Sequence, residues 1–139
     1  SMRVSTRGEY GLRAMLVLAA NYAEGPYPLR EIAEIEHISE QYLELLFRDL
    51  KKNNLVLSYR GARGGYVLAR APAEISVGEV LTALEGPLVP MQCVGEDEAD
   101  MCRHSDNCPT KEMWRKLKDA MDTVLDTTTL ADLLVQAKE

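Results

Sequence analysis

The stretch ISEQYLELLFRDLKKNNLVLSYRGARGGYVLAR, residues 38–70, decides the fold. In its first half Leu43, Leu46, Phe47 and Leu50 recur at helical spacing behind Ser39, a good N-cap. Arg48, Lys51 and Lys52 then place cations at the negative end of that helix. In its second half Leu55–Tyr59 and Tyr66–Ala69 read as two strands joined by Arg60-Gly61-Ala62-Arg63-Gly64-Gly65. Upstream, Pro28 precedes a short helix from Leu29 to about Glu36, with Leu29, Ile32 and Ala33 on its apolar face. His37-Ile38 links it tightly to Ser39. Two short helices followed by a basic hairpin are the order of a winged helix-turn-helix, whose second helix reads DNA. Ser39, Glu40, Gln41, Tyr42, Glu44 and Arg48 on that helix, with Arg60 and Arg63 on the wing, are the expected DNA-facing residues. The plain alternative is a helical hairpin and a solvated turn. Glycines on both sides of Arg63 favour the wing, because they let backbone approach a partner closely, and arginine suits a narrow minor groove.

Working outward, Thr6-Arg7-Gly8-Glu9 fits a capping box, with Thr6 as N-cap and Glu9 reaching back. Leu12, Met15, Leu16 and Ala19 follow at helical spacing, and Gly25-Pro26 ends the element. Beyond the hairpin, Ser76-Val77-Gly78-Glu79 is a second capping box, opening a helix that stops at Gly86-Pro87. Thr110 caps a long helix to about Asp126 with Trp114, Leu117, Met121, Val124 and Leu125 on one stripe. Thr129 starts a last helix with Leu130, Leu133 and Leu134. The expected fold is mainly α with a small β-hairpin wing: a winged helix-turn-helix plus a long dimerisation helix. The expected division is a DNA-binding head over residues 1–72, a connecting helix over 73–90, a cysteine loop over 91–111, and dimerisation and C-terminal helices over 112–139.

Charge is distributed unevenly. The chain of 139 residues carries a net −6. Residues 1–70 hold ten Lys/Arg against eight Asp/Glu, whereas residues 71–139 hold six against fourteen. Within 48–70 there are six basic residues and only Asp49 opposing them. A local basic patch, not the overall balance, attracts a phosphate backbone, so double-stranded DNA is the expected partner. No apolar run approaches membrane-spanning length. Ser1 ahead of Met2 reads as a cloning scar, and the start lacks a secretory signal, so a cytoplasmic protein with reduced thiols is expected.

All three cysteines fall in MQCVGEDEADMCRHSDNCPTK, residues 91–111, spaced C-x8-C-x5-C. Glu96, Asp97, Glu98, Asp100 and Asp106 surround them, with Val94 and Met101 the only large apolar residues between. Such a segment buries little apolar surface by itself, and a long loop of this kind is usually functional or disordered. Thiolates select zinc, copper(I) or iron–sulfur clusters. Unrelated free thiols, or one disulfide and a spare, are the alternative. Free cysteines are commonly buried in apolar surroundings, and these are not. With His104 the set also makes a possible Cys3His zinc site, although the short C-x2–4-C knuckle is missing. An enzyme is not expected: His37 and His104 are the only histidines, and no nucleophile, base and orienting group stand together.

The whole pattern resembles the Rrf-two family of winged-helix iron–sulfur regulators, which includes cluster-assembly regulators and nitric-oxide sensors. The resemblance is carried by MRVSTRGEYGLRAM, ISEQYLELLFRDLKKNNLV, YRGARGGYVLAR, ISVGEVLTALEG and the three cysteines ahead of MWRKL. It covers essentially the whole chain. It implies a homodimer whose long helix crosses to the partner, and an iron–sulfur cluster, 2Fe-2S rather than 4Fe-4S, held by Cys93, Cys102 and Cys108. It also implies cluster-dependent binding to promoter DNA, with iron–sulfur biogenesis genes the expected targets and nitric-oxide or redox sensing the alternative. Two features depart from the cluster-assembly members. The first cysteine interval is longer here, and Lys111 stands where they have a histidine ligand. A protonated lysine has no lone pair for a metal. The resemblance to the nitric-oxide sensors implies Glu9, from the partner subunit, as fourth ligand, with His104 as its rival.

Overall fold

Leu29, Ile32 and Ala33 turn the same side of a short helix, α2 (Leu29–Glu36), into the core. Leu43, Leu46, Phe47 and Leu50 do the same for α3 (Glu40–Lys52). The computed structural model describes residues 5–86 and 109–138. Ahead of this pair lies α1 (Thr6–Ala20), and behind it strands β1 (Val56–Tyr59) and β2 (Gly65–Leu68) form an antiparallel hairpin with Val56 opposite Leu68 and Tyr59 opposite Gly65. A single 3-10 turn, Pro72–Glu74, leads into α4 (Val77–Glu85), and α5 (Lys111–Thr127) and α6 (Leu130–Lys138) complete the described chain. The expected winged helix-turn-helix, mainly helical with one small hairpin, is therefore the fold.

One cluster of buried side chains holds these elements together. Met15, Ile32, Leu43, Leu46, Phe47 and Leu50 are fully buried, and so are Ile75 and Leu130. Ile75 precedes α4 and Leu130 opens α6, so the core of the head includes residues far along the chain. Leu130 donates its backbone N–H to Ile75 at 3.0 Å, and Val77 donates to Thr128 at 2.8 Å. Gly11 on α1 lets α4 approach closely: a Cβ there would stand 2.1 Å from Leu84 Cδ1.

The hairpin is anchored by more than its own ladder. Tyr27 and Tyr66 exchange backbone hydrogen bonds at 2.9 Å in both directions, which lays the loop after α1 along the free edge of β2. The Tyr66 ring packs on Phe47, with centroids 4.8 Å apart.

Helix starts follow the sequence, but two expected caps differ: Thr110 holds the N-cap position of α5 without a side-chain cap bond, and the start of α1 is rebuilt. Ser39 accepts from the Tyr42 N–H at 3.0 Å, and both arms of the Ser76–Glu79 capping box are present. Thr129 and Asp132 form the same reciprocal pair at the start of α6. The box expected at Thr6–Glu9 does not form. Ser5 holds the N-cap position, and its N–H and hydroxyl both donate to the Glu85 carboxylate, so the start of α1 is tied to the end of α4. Thr6 becomes the first helical residue, and Glu9 turns to Arg13.

Candidate nucleic-acid interface

A sharp corner positions the reading helix. His37 takes a left-handed conformation, φ 56°, and the Ile38 N–H donates back to Ala33 at 3.1 Å, closing α2. Ser39 then caps α3. Burial of Leu43, Leu46, Phe47 and Leu50 turns the opposite side of α3 outward. Glu40, Gln41, Glu44 and Arg48 are all exposed there, and Ser39 is exposed at its start. Tyr42 differs from the other expected DNA-facing residues. It is half-buried, its ring edge-on to Tyr10 of α1 at 6.4 Å between centroids.

An open groove of about 770 Å³ runs between α3 and the hairpin, walled by Glu40, Glu44, Arg48, Lys51 and Lys52 and by Leu29 and Tyr66. Three cations and two carboxylates therefore share one face. Lys51 Nζ donates to Ser58 Oγ at 2.8 Å, tying the end of α3 to β1. At the tip Gly61 has φ +106° and accepts the Gly64 N–H at 3.0 Å, while a Cβ on Gly64 would sit 2.4 Å from the Tyr59 carbonyl oxygen. Only glycine permits this turn. It leaves Arg60 and Arg63 exposed at the end of the hairpin, as expected for a wing.

Two arginines brace the helix-turn-helix from α1, Arg7 at α3 and Arg13 at the end of α2. Arg7 pairs with Asp49 of α3 and also donates to the Leu84 carbonyl at 3.2 Å, linking α1, α3 and α4. Arg13 lies 2.8 Å from the Glu36 carboxylate as an ion pair without hydrogen-bond alignment, 3.8 Å from Glu9, and over the Tyr10 ring at 5.7 Å. Glu36 is the last residue of α2, and its side chain is only 9% exposed. The i,i+4 spacing of Glu9 and Arg13 was visible in the sequence, but the longer link to Glu36 has no local signal.

Cys93, Cys102, Cys108 and the rival ligand His104 lie outside the described residues. Among the described residues no three His, Cys, Asp or Glu side chains converge as a metal site. The cysteine segment joins Gly86, which ends α4, to the start of α5 at Lys111. Glu9 has the chemistry of an available oxygen donor. Its side chain is 67% exposed, and its ion pair with Arg13 is long. Such an exposed pair contributes little, so engaging the carboxylate elsewhere would cost little.

No helix among the described residues is long and apolar enough to cross a membrane. Compared with known proteins, the chain matches the Rrf2 family, described as an iron-dependent transcriptional regulator, over residues 4–136. It is 43% identical over 133 residues to the HTH-type transcriptional regulator CymR of Bacillus subtilis (strain 168), covering 95% of this chain and 89% of that one. The solved structure of that CymR, described as the global cysteine regulator of B. subtilis, superposes with a TM-score of 0.80 over 96% of each chain. The regulator IscR of Serratia proteamaculans (strain 568) is 41% identical over 133 residues, covering 96% of this chain and 79% of its own. The solved T. potens IscR is 43% identical, with a TM-score of 0.78 over 99% of this chain and 89% of that one. A likeness spanning head, wing and C-terminal helices alike makes this chain a DNA-binding transcriptional regulator, not an enzyme, and a member of the Rrf2 family.

Proposed function

We propose that the protein binds promoter DNA as a homodimer under the control of an iron–sulfur cluster held by Cys93, Cys102 and Cys108. Glu9 of the partner subunit is the fourth ligand, the cluster is 2Fe-2S, and the regulated genes serve iron–sulfur cluster biogenesis in the cytoplasm. The observation that carries this reading is the placing of all three thiols in one acidic segment that runs directly into α5. Thiolates favour soft iron–sulfur centres, and a single carboxylate on such a centre is a hard, easily displaced ligand. A cluster of this kind supplies sensitivity to oxidants, nitric oxide and iron supply. The chain's own residues supply the transmission. Glu9 stands on α1 beside Arg13, and Arg13 reaches both Glu36 before the turn and Tyr10 against Tyr42 of α3. A change in what Glu9 binds is thus two contacts away from Glu36 on one side of the helix-turn-helix corner and three from Tyr42 on the other.

The test is anaerobic purification followed by visible absorption and DNA gel shifts. Wild type should be coloured, and Cys93→Ala, Cys102→Ala and Cys108→Ala should each lose the colour. Glu9→Ala should alter both the spectrum and cluster-dependent DNA binding, and His104→Ala should alter neither. The opposite pattern would give the fourth position to His104, and a colourless wild type that retains zinc would replace the cluster with a zinc site. A second reading, regulation of cysteine metabolism, draws support from the 43% identity to the B. subtilis cysteine regulator. It requires DNA binding that survives loss of all three cysteines.

A further inference from the structure

Leu45 is out of place on the reading helix. Its side chain is 47% exposed in the middle of α3. Single exposed leucines are ordinary on protein surfaces, but this one has specific neighbours. At 100° per residue Gln41, Leu45, Arg48 and Lys52 follow one another along the outward stripe, opposite buried Leu43, Leu46 and Leu50. Every other member of that stripe is polar or cationic. Helical side chains also lean toward the helix N-terminus. Leu45 therefore covers the surface over the Gln41–Glu44 turn, the part of a reading helix that meets base edges.

The geometry points to Leu45 as a specificity-determining residue that reads the 5-methyl group of thymine in the major groove. That methyl is the one apolar feature the major groove presents, and it distinguishes thymine from cytosine by contact rather than by hydrogen bonding. Exposed cations that attract DNA follow Leu45 on the same helix, Arg48, Lys51 and Lys52, and Arg60 and Arg63 are exposed at the tip of the hairpin. Glu44 beside it repels phosphate and accepts from cytosine N4. Leu45 and Glu44 together then favour a pyrimidine pair in which thymine and cytosine occupy different, adjacent positions. This inference rests on the reading of α3 as the helix in the groove.

The experiment uses the full-length protein. Binding sites are selected from a random duplex pool by wild type and by Leu45→Ala, and each thymine of the selected site is then replaced in turn by deoxyuridine, which removes only the methyl. Alanine is the best helix former and the position is on the surface, so equal circular dichroism and melting will show an intact fold. Deoxyuridine at one or two positions per half-site should weaken wild type roughly three- to tenfold, as expected for one methyl lost from an apolar contact. Leu45→Ala should bind both forms of those positions equally while keeping wild-type behaviour at all others. A wild type indifferent to deoxyuridine everywhere, or a Leu45→Ala that still discriminates it, overturns the assignment. Arg48→Ala and Arg60→Ala report on the underlying reading separately: both should weaken binding, and if neither does, α3 is not in the groove and the thymine assignment falls with it.

Discussion

Glu79 has two partners at one helix start. Its carboxylate accepts the Ser76 N–H at 2.9 Å and pairs with Arg70 at 2.5 Å, while Arg70 also donates to the Glu74 carbonyl at 3.0 Å. Partial burial alone would raise its pKa. The Ser76 backbone hydrogen bond and then the Arg70 guanidinium outweigh burial and hold it below the ordinary 4.5. A carboxylate whose folded pKa is depressed contributes stability that is complete above the unfolded pKa and is lost as pH falls through the folded one. Glutamine retains the N3 capping geometry but not the charge. Glu79→Gln should therefore be less stable than wild type at neutral pH, and the gap should close as pH drops below about 4. Urea midpoints at pH 7 and pH 3 measure it, and an unchanged gap would assign the whole effect to the cap. Because both side chains are around two-fifths exposed, solvent screening keeps the effect small.

At the scale of elements the hairpin depends on a glycine that no helix pattern reveals. Gly65 has φ +150°, and a Cβ there would meet the Tyr27 carbonyl carbon and oxygen at 2.4 Å. Those are backbone atoms held by the paired Tyr27–Tyr66 hydrogen bonds, so they have little freedom to yield. Gly65→Ala should lower stability by about 1–3 kcal/mol and weaken DNA binding through a displaced wing. Denaturant titration alongside gel shifts checks both, and full stability with full binding would mean that the loop after α1 is not a fixed support. Gly65 also marks where sequence reading stops. Local periodicity and capping are legible in α2 with its three buried residues, in α3 with its four, and in the Ser76–Glu79 box with both arms. They are less so in α1, which buries Met15 and Ala19 of the expected stripe with Ala14 and Leu18 and leaves Leu12 and Leu16 half-buried. What depends on distant partners is not legible. Ser5 and Glu85 are 80 residues apart, and their bond removes the cap expected at Thr6. Arg7–Asp49 and Arg13–Glu36 likewise join elements whose approach only the packed core determines. The exposure of the residues expected to face DNA follows from helix position, whereas the turning of Tyr42 toward Tyr10 requires α1 to be in place.

For the molecule as a whole, α5 is the element left incomplete. It is 17 residues long and amphipathic, yet none of its residues is buried by the described chain, and Met113 and Val124 remain 49% and 62% exposed. In the proposed homodimer a second copy covers this face. If folding and association are linked in this way, the melting temperature should rise with protein concentration, and Met121→Glu should convert a dimer in sedimentation into a monomer. Trp114, the only tryptophan, lies on α5 and gives a fluorescence signal for the same event. A wild type that sediments as a monomer, with a melting point constant over about a hundredfold range of concentration, would exclude the dimer. The clamp at the far end of this helix has a mechanical consequence. Thr128 and Leu130 are bonded into the head through Val77 and Ile75, so α5 is anchored at its C-terminus, and in sequence its N-terminus follows the cysteine segment. Its arm is about 26 Å long, and a tilt of about 5° at the clamp swings the other end by about 2 Å. Displacements at the two ends are thus geared unequally: a shift of ångströms at the first turn of α5 corresponds to a rotation of only a few degrees at the Thr128–Leu130 clamp.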